Sequence, residues 1–348
     1  MSTEPEETAP RELPPAAAGT AEMHDAPRRR MPFAWFWPLL VGAAAAFVLR
    51  IAFSGLPGQR FSAMLGSFIY LAPAVCGAVT VYMAERIERR SWGYYIWAPW
   101  VATALFVVGT LLVFIEGMIC AIVIVPLFAI MGSVGGLVMG LVCRVTRWPK
   151  PALYSFAVLP LMLGAIEPQL PNPEQISNTS RTLFIAAPAE RVWHELNDAR
   201  NIQPSEVGDA WAYRIGVPMP VGAVTEETPE GRVRKVQWQK NVHFDEVVTD
   251  WQPLQRVQWR YRFSPDSFPA GALDDHVLIG GHYFDLRDSA YTLTPRDGGT
   301  ELRIDVSWRV STRFNWYADR VAQLLLGDFS EHILRFYKVR SEAAAAAA

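Results

Sequence analysis

The side chains best equipped for chemistry in this 348-residue chain lie between positions 243 and 285. Asp274-Asp275-His276 is followed, after three residues, by Gly280-Gly281-His282-Tyr283-Phe284-Asp285, and His243 and Asp245 lie upstream. Imidazoles and carboxylates grouped in this way can ligate a metal or form an acid–base pair. Their spacing matches no standard zinc motif, however. An Asp-Asp pair is more often a solvated turn, and His282 is read as making a structural hydrogen bond. The same half of the chain has no Gly-x-Ser-x-Gly elbow, no cysteine nucleophile and no phosphate loop. No catalytic residue, metal or cofactor is therefore assigned. The candidate set is instead Tyr213, Tyr291 and Tyr317 for their hydroxyls, whose direction sequence does not fix, Trp259, Tyr261 and Trp308 as inward aromatics that are core residues first and ligand contacts second, and His243 and His282.

These residues need a scaffold, and period-two alternation supplies one. Val257, Trp259, Tyr261 and Phe263 alternate with Gln258, Arg260 and Arg262. Leu302, Ile304, Val306, Trp308 and Val310 alternate with Arg303, Asp305, Ser307 and Arg309. Pro295-Arg296-Asp297-Gly298-Gly299 supplies the turn residues of a hairpin before the second run. Such strands suit an antiparallel sheet with one polar face. Ser180 to Ala186 reads as an earlier strand, leading into a helix over Pro188 to Leu196 with Pro188 in its first turn. A long helix from about Asn315 to Val339 closes the domain, with a broad apolar face that includes Trp316, Leu325, Phe329, Ile333, Phe336 and Tyr337. Glu226-Glu227 and Arg232-Val233-Arg234-Lys235 read as solvated charge runs.

The rest of the chain is of another kind. Apolar residues make up 51% of the sequence and charged ones 19%, but the average conceals a split. From Met31 to Pro171 the acidic residues are Glu85, Glu88, Glu116 and Glu167 alone, whereas from Asn172 onward there are 20 basic and 24 acidic side chains. That second half has no electrostatic footprint for nucleic acid. A helix crossing a ~30 Å hydrocarbon layer needs about 20 apolar residues. Phe33–Phe53, Phe61–Ala84, Gly93–Ile115 and Gly117–Cys143 meet that length, and Ala152–Ile166 is a shorter fifth stretch. A cleaved signal peptide is the competing reading of the first run, which is long for that role and lacks a small-x-small site. Aromatics gather at the expected interfaces, as in Trp35, Trp37 and the stretch Trp92 to Trp100.

Arg28, Arg29 and Arg30, then Arg86, Arg89 and Arg90, then Arg144, Arg147 and Lys150 all flank the same side if four spans cross. The positive-inside rule puts that side, and the N-terminus, in the cytoplasm. If the fifth stretch also crosses, the soluble domain lies on the outer side of the cell (inner) membrane. Arg50 is expected to snorkel at a helix end and Glu116 to sit in a solvated turn. Gly132, Gly136 and Gly140 form a small-xxx-small stripe that packs within the bundle or, alternatively, forms a homodimer seam. Met1 to Arg30 reads as a disordered tail, Pro168 to Pro173 as a linker and Ala343 to Ala348 as a low-complexity tail.

A strand entering Ala187-Pro188-Ala189-Glu190-Arg191-Val192-Trp193, then antiparallel strands, then one long C-terminal helix, resembles the helix-grip superfamily, also called SRPBCC or START-like. Polyketide cyclase/dehydrase-like and lipid-transfer proteins belong to it. The resemblance covers about Gln175 to Glu342. It implies a sheet curled around the long helix and an apolar cavity between them. The expected architecture is thus a transmembrane helical bundle over 31–171 joined to an α+β helix-grip domain over 172–342. The leading functional expectation is a membrane-anchored binding module, with the lipid bilayer and a hydrophobic small molecule or lipid as partners. A cyclase- or hydrolase-like enzyme on the same cavity, and a structural or regulatory membrane protein without a ligand, are the alternatives.

Overall fold

The computed structural model describes residues 35–54, 62–146 and 150–346. The expected tail over Met1 to Arg30, the arginines at 28–30, 60 and 147, and Trp148 lie outside the described residues. Five helices come first: α1 (Trp37–Ala52), α2 (Gly66–Ile87), α3 (Trp92–Leu112), α4 (Met118–Val145) and α5 (Lys150–Ile166). Three of them, α2, α3 and α4, are long and apolar enough to cross a membrane, with mean hydropathies of 1.6, 1.7 and 2.4. α1 is apolar but only 16 residues long. α5 runs as one 17-residue helix through Pro160, so the short fifth stretch does not double back.

The helices alternate in direction, and their ends separate by charge. At one end Arg144, at the foot of α4, donates to the Arg90 carbonyl and to the Tyr95 hydroxyl at the start of α3. At the other end the Glu167 carboxylate, just past α5, accepts from the first two amides of α2, Gly66 N–H at 2.6 Å and Ser67 N–H at 2.8 Å. A carboxylate is favourable there because the N-terminal amides of a helix are unpaired and carry the positive end of its dipole.

α2 and α4 touch where glycine permits. A side chain on Gly77 would strike the Gly132 carbonyl, and one on Gly135 would strike the Ala74 carbonyl. Gly136 and Gly140 meet Tyr95 of α3, by its carbonyl and its ring respectively. The glycine stripe therefore packs inside this chain. Further along, Phe68, Phe106 and Phe128 fill the space between helices, with Phe106 stacked on Phe128 at 6.1 Å.

The second half holds β1 (Gln175–Ile185), α6 (Ala189–Asn197), β2 (Asp198–Ala199), the short helices α7 (Pro204–Val207) and α8 (Trp211–Arg214), then β3 (Pro220–Thr228), β4 (Gly231–Trp238), β5 (His243–Gln252), β6 (Arg256–Arg262), β7 (Phe284–Arg296) and β8 (Gly299–Val310). The strands form one antiparallel sheet in the order β1-β8-β7-β6-β5-β4-β3-β2. Gly298, at φ +79°, makes the tight β7–β8 turn. α9 (Asn315–Ala346) packs into the concave side of the sheet, where Ile304, Trp308, Leu334, Phe336 and Tyr337 share one core. This is the helix-grip architecture. α9 runs seven residues beyond the expected Val339 because its alanine tail is strong helix former.

The two halves pack directly on each other. Phe314, just before α9, belongs to the core of the helix bundle, with Tyr317 and Ala318 beside it.

Candidate ligand-binding site

Between the sheet, α9 and the end of the bundle that carries Arg50 and Glu116 lies a chamber of about 310 Å³. That is near the lower end for pockets that enclose small molecules, roughly 300–1,000 Å³. The sheet contributes Val236, Phe244, Leu286 and Val306, and α9 contributes Val321, Leu325, Phe329 and Ile333. The bundle contributes Ile69, Phe106, Val107, Ile124 and Phe128. The lining is overwhelmingly apolar, and it continues from one half of the protein into the other.

Two polar groups interrupt it. Deep in the grip domain, Arg234 Nη1 lies 2.6 Å from Glu246 Oε2, and both side chains are 8% exposed. The residues are cross-strand partners on β4 and β5. Arg234 Nη2 donates to the Tyr337 hydroxyl at 2.9 Å, and its guanidinium lies over the Trp259 ring at 4.8 Å. Its Nε has no partner. Burial on its own disfavours the charged form of Arg234, but its surroundings, with the Tyr337 hydroxyl oxygen and the Glu246 carboxylate nearest, more than reverse this and hold its pKa above the usual guanidinium value. Nearby, the Tyr261 hydroxyl and the Ser289 hydroxyl are 2.5 Å apart. Burial raises the pKa of Tyr261, Tyr291 and Tyr337 above the ordinary phenol value, so all three face the chamber as neutral hydroxyls. The cluster as a whole is neutral, one cation against one anion.

The second polar group lies where the halves meet. Arg50, near the end of α1, pairs with Glu116 at 2.6 Å, and His276 Nε2 approaches the other Glu116 oxygen at 3.8 Å. Arg50 is buried rather than snorkelling, and Glu116 is not a solvated turn residue, because the grip domain covers this end of the bundle. Asp274 is likewise drawn out of solvent. Its Oδ2 accepts from Cys120 N–H at 2.9 Å and caps the start of α4, where Gly117 brings no side chain of its own. Ser62 and Tyr283 add a hydroxyl contact of 3.3 Å across the same junction.

The sequence-derived candidates divide by position. Tyr261, Tyr291 and Tyr317 lie on the chamber wall. Trp259, Trp308 and Tyr213 are core residues behind it, with the Trp308 indole donating to Asp319 and the Tyr213 hydroxyl buried without a partner. His243 is half exposed beside Asp266, and His282 lies at the surface near Asn172. Neither histidine is on the chamber wall. Among the described residues no group of three or more His, Cys, Asp or Glu side chains converges as a metal site would require. Arg234 is buried and not on a solvated face as its charge run suggests, and Glu246, outside the sequence-derived candidates, carried one legible signal. Glu246 stands between Phe244 and Val248 on the apolar face of its strand.

No protein-family model matches the sequence, and no curated protein matches it. Among solved structures, the chain is similar to the di-domain ARO/CYC StfQ from the steffimycin biosynthetic pathway, at 13% identity over 56% of this chain and 60% of that one, with a TM-score of 0.31. This chain thus spans less than two thirds of StfQ. It is also similar to a START superfamily protein from Mycobacterium smegmatis, at 17% identity over 48% of this chain and 98% of that one, with a TM-score of 0.29. A protein from Rhodobacter sphaeroides shows 17% identity over 49% of this chain and 99% of that one, with a TM-score of 0.30.

Proposed function

We propose that this is an integral membrane protein whose helix-grip domain and helix bundle jointly hold one hydrophobic small molecule or lipid. The observation that carries this reading is the continuity of the apolar chamber from the sheet into the helices. A ligand in it need never leave apolar surroundings between bilayer and binding site. The wall also limits the polar end of the ligand. Arg234 and Glu246 already neutralise each other, and the tyrosines stay neutral. A neutral oxygen-bearing group fits there, because a carboxylate or phosphate would add an unpaired buried charge. A void of this size also argues against a purely structural role, which is better served by a filled core.

The charge pattern supports a location and a direction. The described basic residues Arg86, Arg89, Arg90 and Arg144 cluster at the bundle end away from the grip domain. By the positive-inside rule that end faces the cytoplasm, so the grip domain lies on the outer side of the cell (inner) membrane.

The test is mass spectrometry of organic extracts from the full chain, purified in mild detergent, beside Val236→Trp, which fills the chamber next to Arg234. One class of neutral amphiphile enriched in the wild type and lost from a folded Val236→Trp protein is expected. Equal extracts from both proteins would refute the proposal.

A further inference from the structure

The grip domain does more than stand on the helices, for the start of α9 sits at their depth. The Trp316 indole donates to the Tyr70 hydroxyl at 2.8 Å, and the Tyr317 hydroxyl donates to the Val123 carbonyl at 2.5 Å. Tyr70 is four residues into α2 and Val123 five residues into α4, about 6 and 7.5 Å along at a rise of about 1.5 Å per residue. α4 presents apolar side chains outward from its first turn, with Met118 59% and Ile122 48% exposed. The first turn of α9 therefore lies at a level where the neighbouring helices already show a lipid-facing surface.

From there α9 stays close to the start of α4. Leu325, eight residues after Tyr317, packs with Ile119, Ile215 and Leu273. Ile119 lies four residues before Val123, so Tyr317 and Leu325 both pack near the start of α4. α8 lies at the same level, since Ile215 directly follows it and the Trp211 amide donates to Asp328 of α9. Three large apolar side chains of this region are left open: Trp211 at 57%, Trp316 at 58% and Leu324 at 74% exposure. The Arg214 guanidinium, itself paired with Asp209, covers one face of Trp211 at 5.1 Å, and Arg320 is exposed between Trp316 and Leu324. Tryptophan beside arginine is the composition of a membrane interface, where an amphipathic ring sits at headgroup level and a cation can meet phosphate.

Building on the membrane reading above, we propose that the outer face of α8 and the first half of α9 is a lipid-binding surface, seated in the phospholipid headgroup layer by Trp211, Trp316 and Leu324. The partner is the bilayer that surrounds the bundle, because this face continues the exposed apolar surface of α4 without a break in level. Seated so, the α9 wall of the chamber lies against lipid.

The test places a photoreactive benzoylphenylalanine in the full chain at Leu324, at Val138 on the outward face of α4, or at Glu227 on the exposed β3–β4 hairpin. Each protein is reconstituted in nanodiscs of phosphatidylethanolamine and phosphatidylglycerol, irradiated and weighed by intact-mass spectrometry. Position 324 is expected to give phospholipid adducts, as 138 does, while 227 gives none. Adducts at 138 with none at 324 overturn the seating and leave the membrane reading standing. No adducts at either position overturn both.

Discussion

Replacing Glu246 by Gln would test the buried cluster most directly. The substitution keeps the shape and one acceptor oxygen but removes the negative charge 2.6 Å from Arg234, between two side chains only 8% exposed. Removing one partner of a buried pair costs about 3–5 kcal/mol, because the remaining charge is stranded away from water. Arg234 would keep the Tyr337 hydroxyl and the face of Trp259. A desolvated cation–π contact contributes up to about 2 kcal/mol, so the low end, about 3 kcal/mol, is expected. Replacing both residues by apolar ones, Arg234→Met with Glu246→Leu, should be neutral or stabilising, since no charge is then stranded. The assay is urea unfolding of the full chain in detergent, followed by tryptophan fluorescence. With a slope of about 1–3 kcal/mol per molar, the single variant should lower the midpoint by about 1–3 M. A single variant indistinguishable from wild type would mean that water reaches the pair, and the argument for a neutral ligand group would fall with it.

Other outcomes follow from particular contacts. Gly136→Leu should destabilise the bundle by about 1–3 kcal/mol or more, since its Cβ alone would lie 2.5 Å from the Tyr95 carbonyl oxygen and 2.8 Å from Pro99 Cγ; unchanged resistance to unfolding by sodium dodecyl sulfate would rule out that close approach. Arg340 holds the Glu206 carboxyl below its usual value of 4.5, through contacts of 2.8 and 2.9 Å, so its contribution to stability is present above about pH 4.5 and lost as pH falls through the lowered value. Glu206→Gln should flatten that acid limb in urea midpoints measured against pH, and an unaltered limb would exclude the pair as a source of acid sensitivity. Alkaline phosphatase fused after Ala348 should be active if the grip domain is outside the cytoplasm, whereas fluorescence from a reporter that matures only in the cytoplasm would reverse the orientation.

The sheet was readable where one face is buried along a whole strand. β6 and β8 alternate because Val257, Trp259, Ile304 and Trp308 point inward while Arg260, Arg303 and Asp305 stay wet. The long final helix was readable for the same reason at the helical period, and its alanine tail extends it to Ala346. The chamber was only partly readable. An inward aromatic looks the same in sequence whether it borders a void, as Tyr261 does, or fills the core behind it, as Trp259 does. Arg234 was hidden by its neighbours, since Arg232 and Lys235 are exposed partners of Glu227 and Asp245 and make the whole run look solvated. Arg50, Glu116 and His276 could not be joined from sequence at all. They are separated by 66 and 160 residues, and what buries them is the docking of one half on the other.

That docking gives the protein its particular character. A curled sheet around one helix has an open end, and here the open end is closed by the helix bundle. The fastening is electrostatic and local. Asp274, from the grip domain, caps the unpaired amides at the start of α4, while Glu167, just past α5, caps those of α2 from within the bundle. Arg313 lies 3.8 Å from Glu167, and its own guanidinium donates to the Leu170 carbonyl at 3.1 Å. Each contact satisfies groups that would otherwise be left without partners where the halves press together, so loosening the junction carries a cost on both sides of it. The helices are in this sense part of the chamber, and a grip domain cut free of them would lose the wall formed by Ile69, Phe106, Ile124 and Phe128.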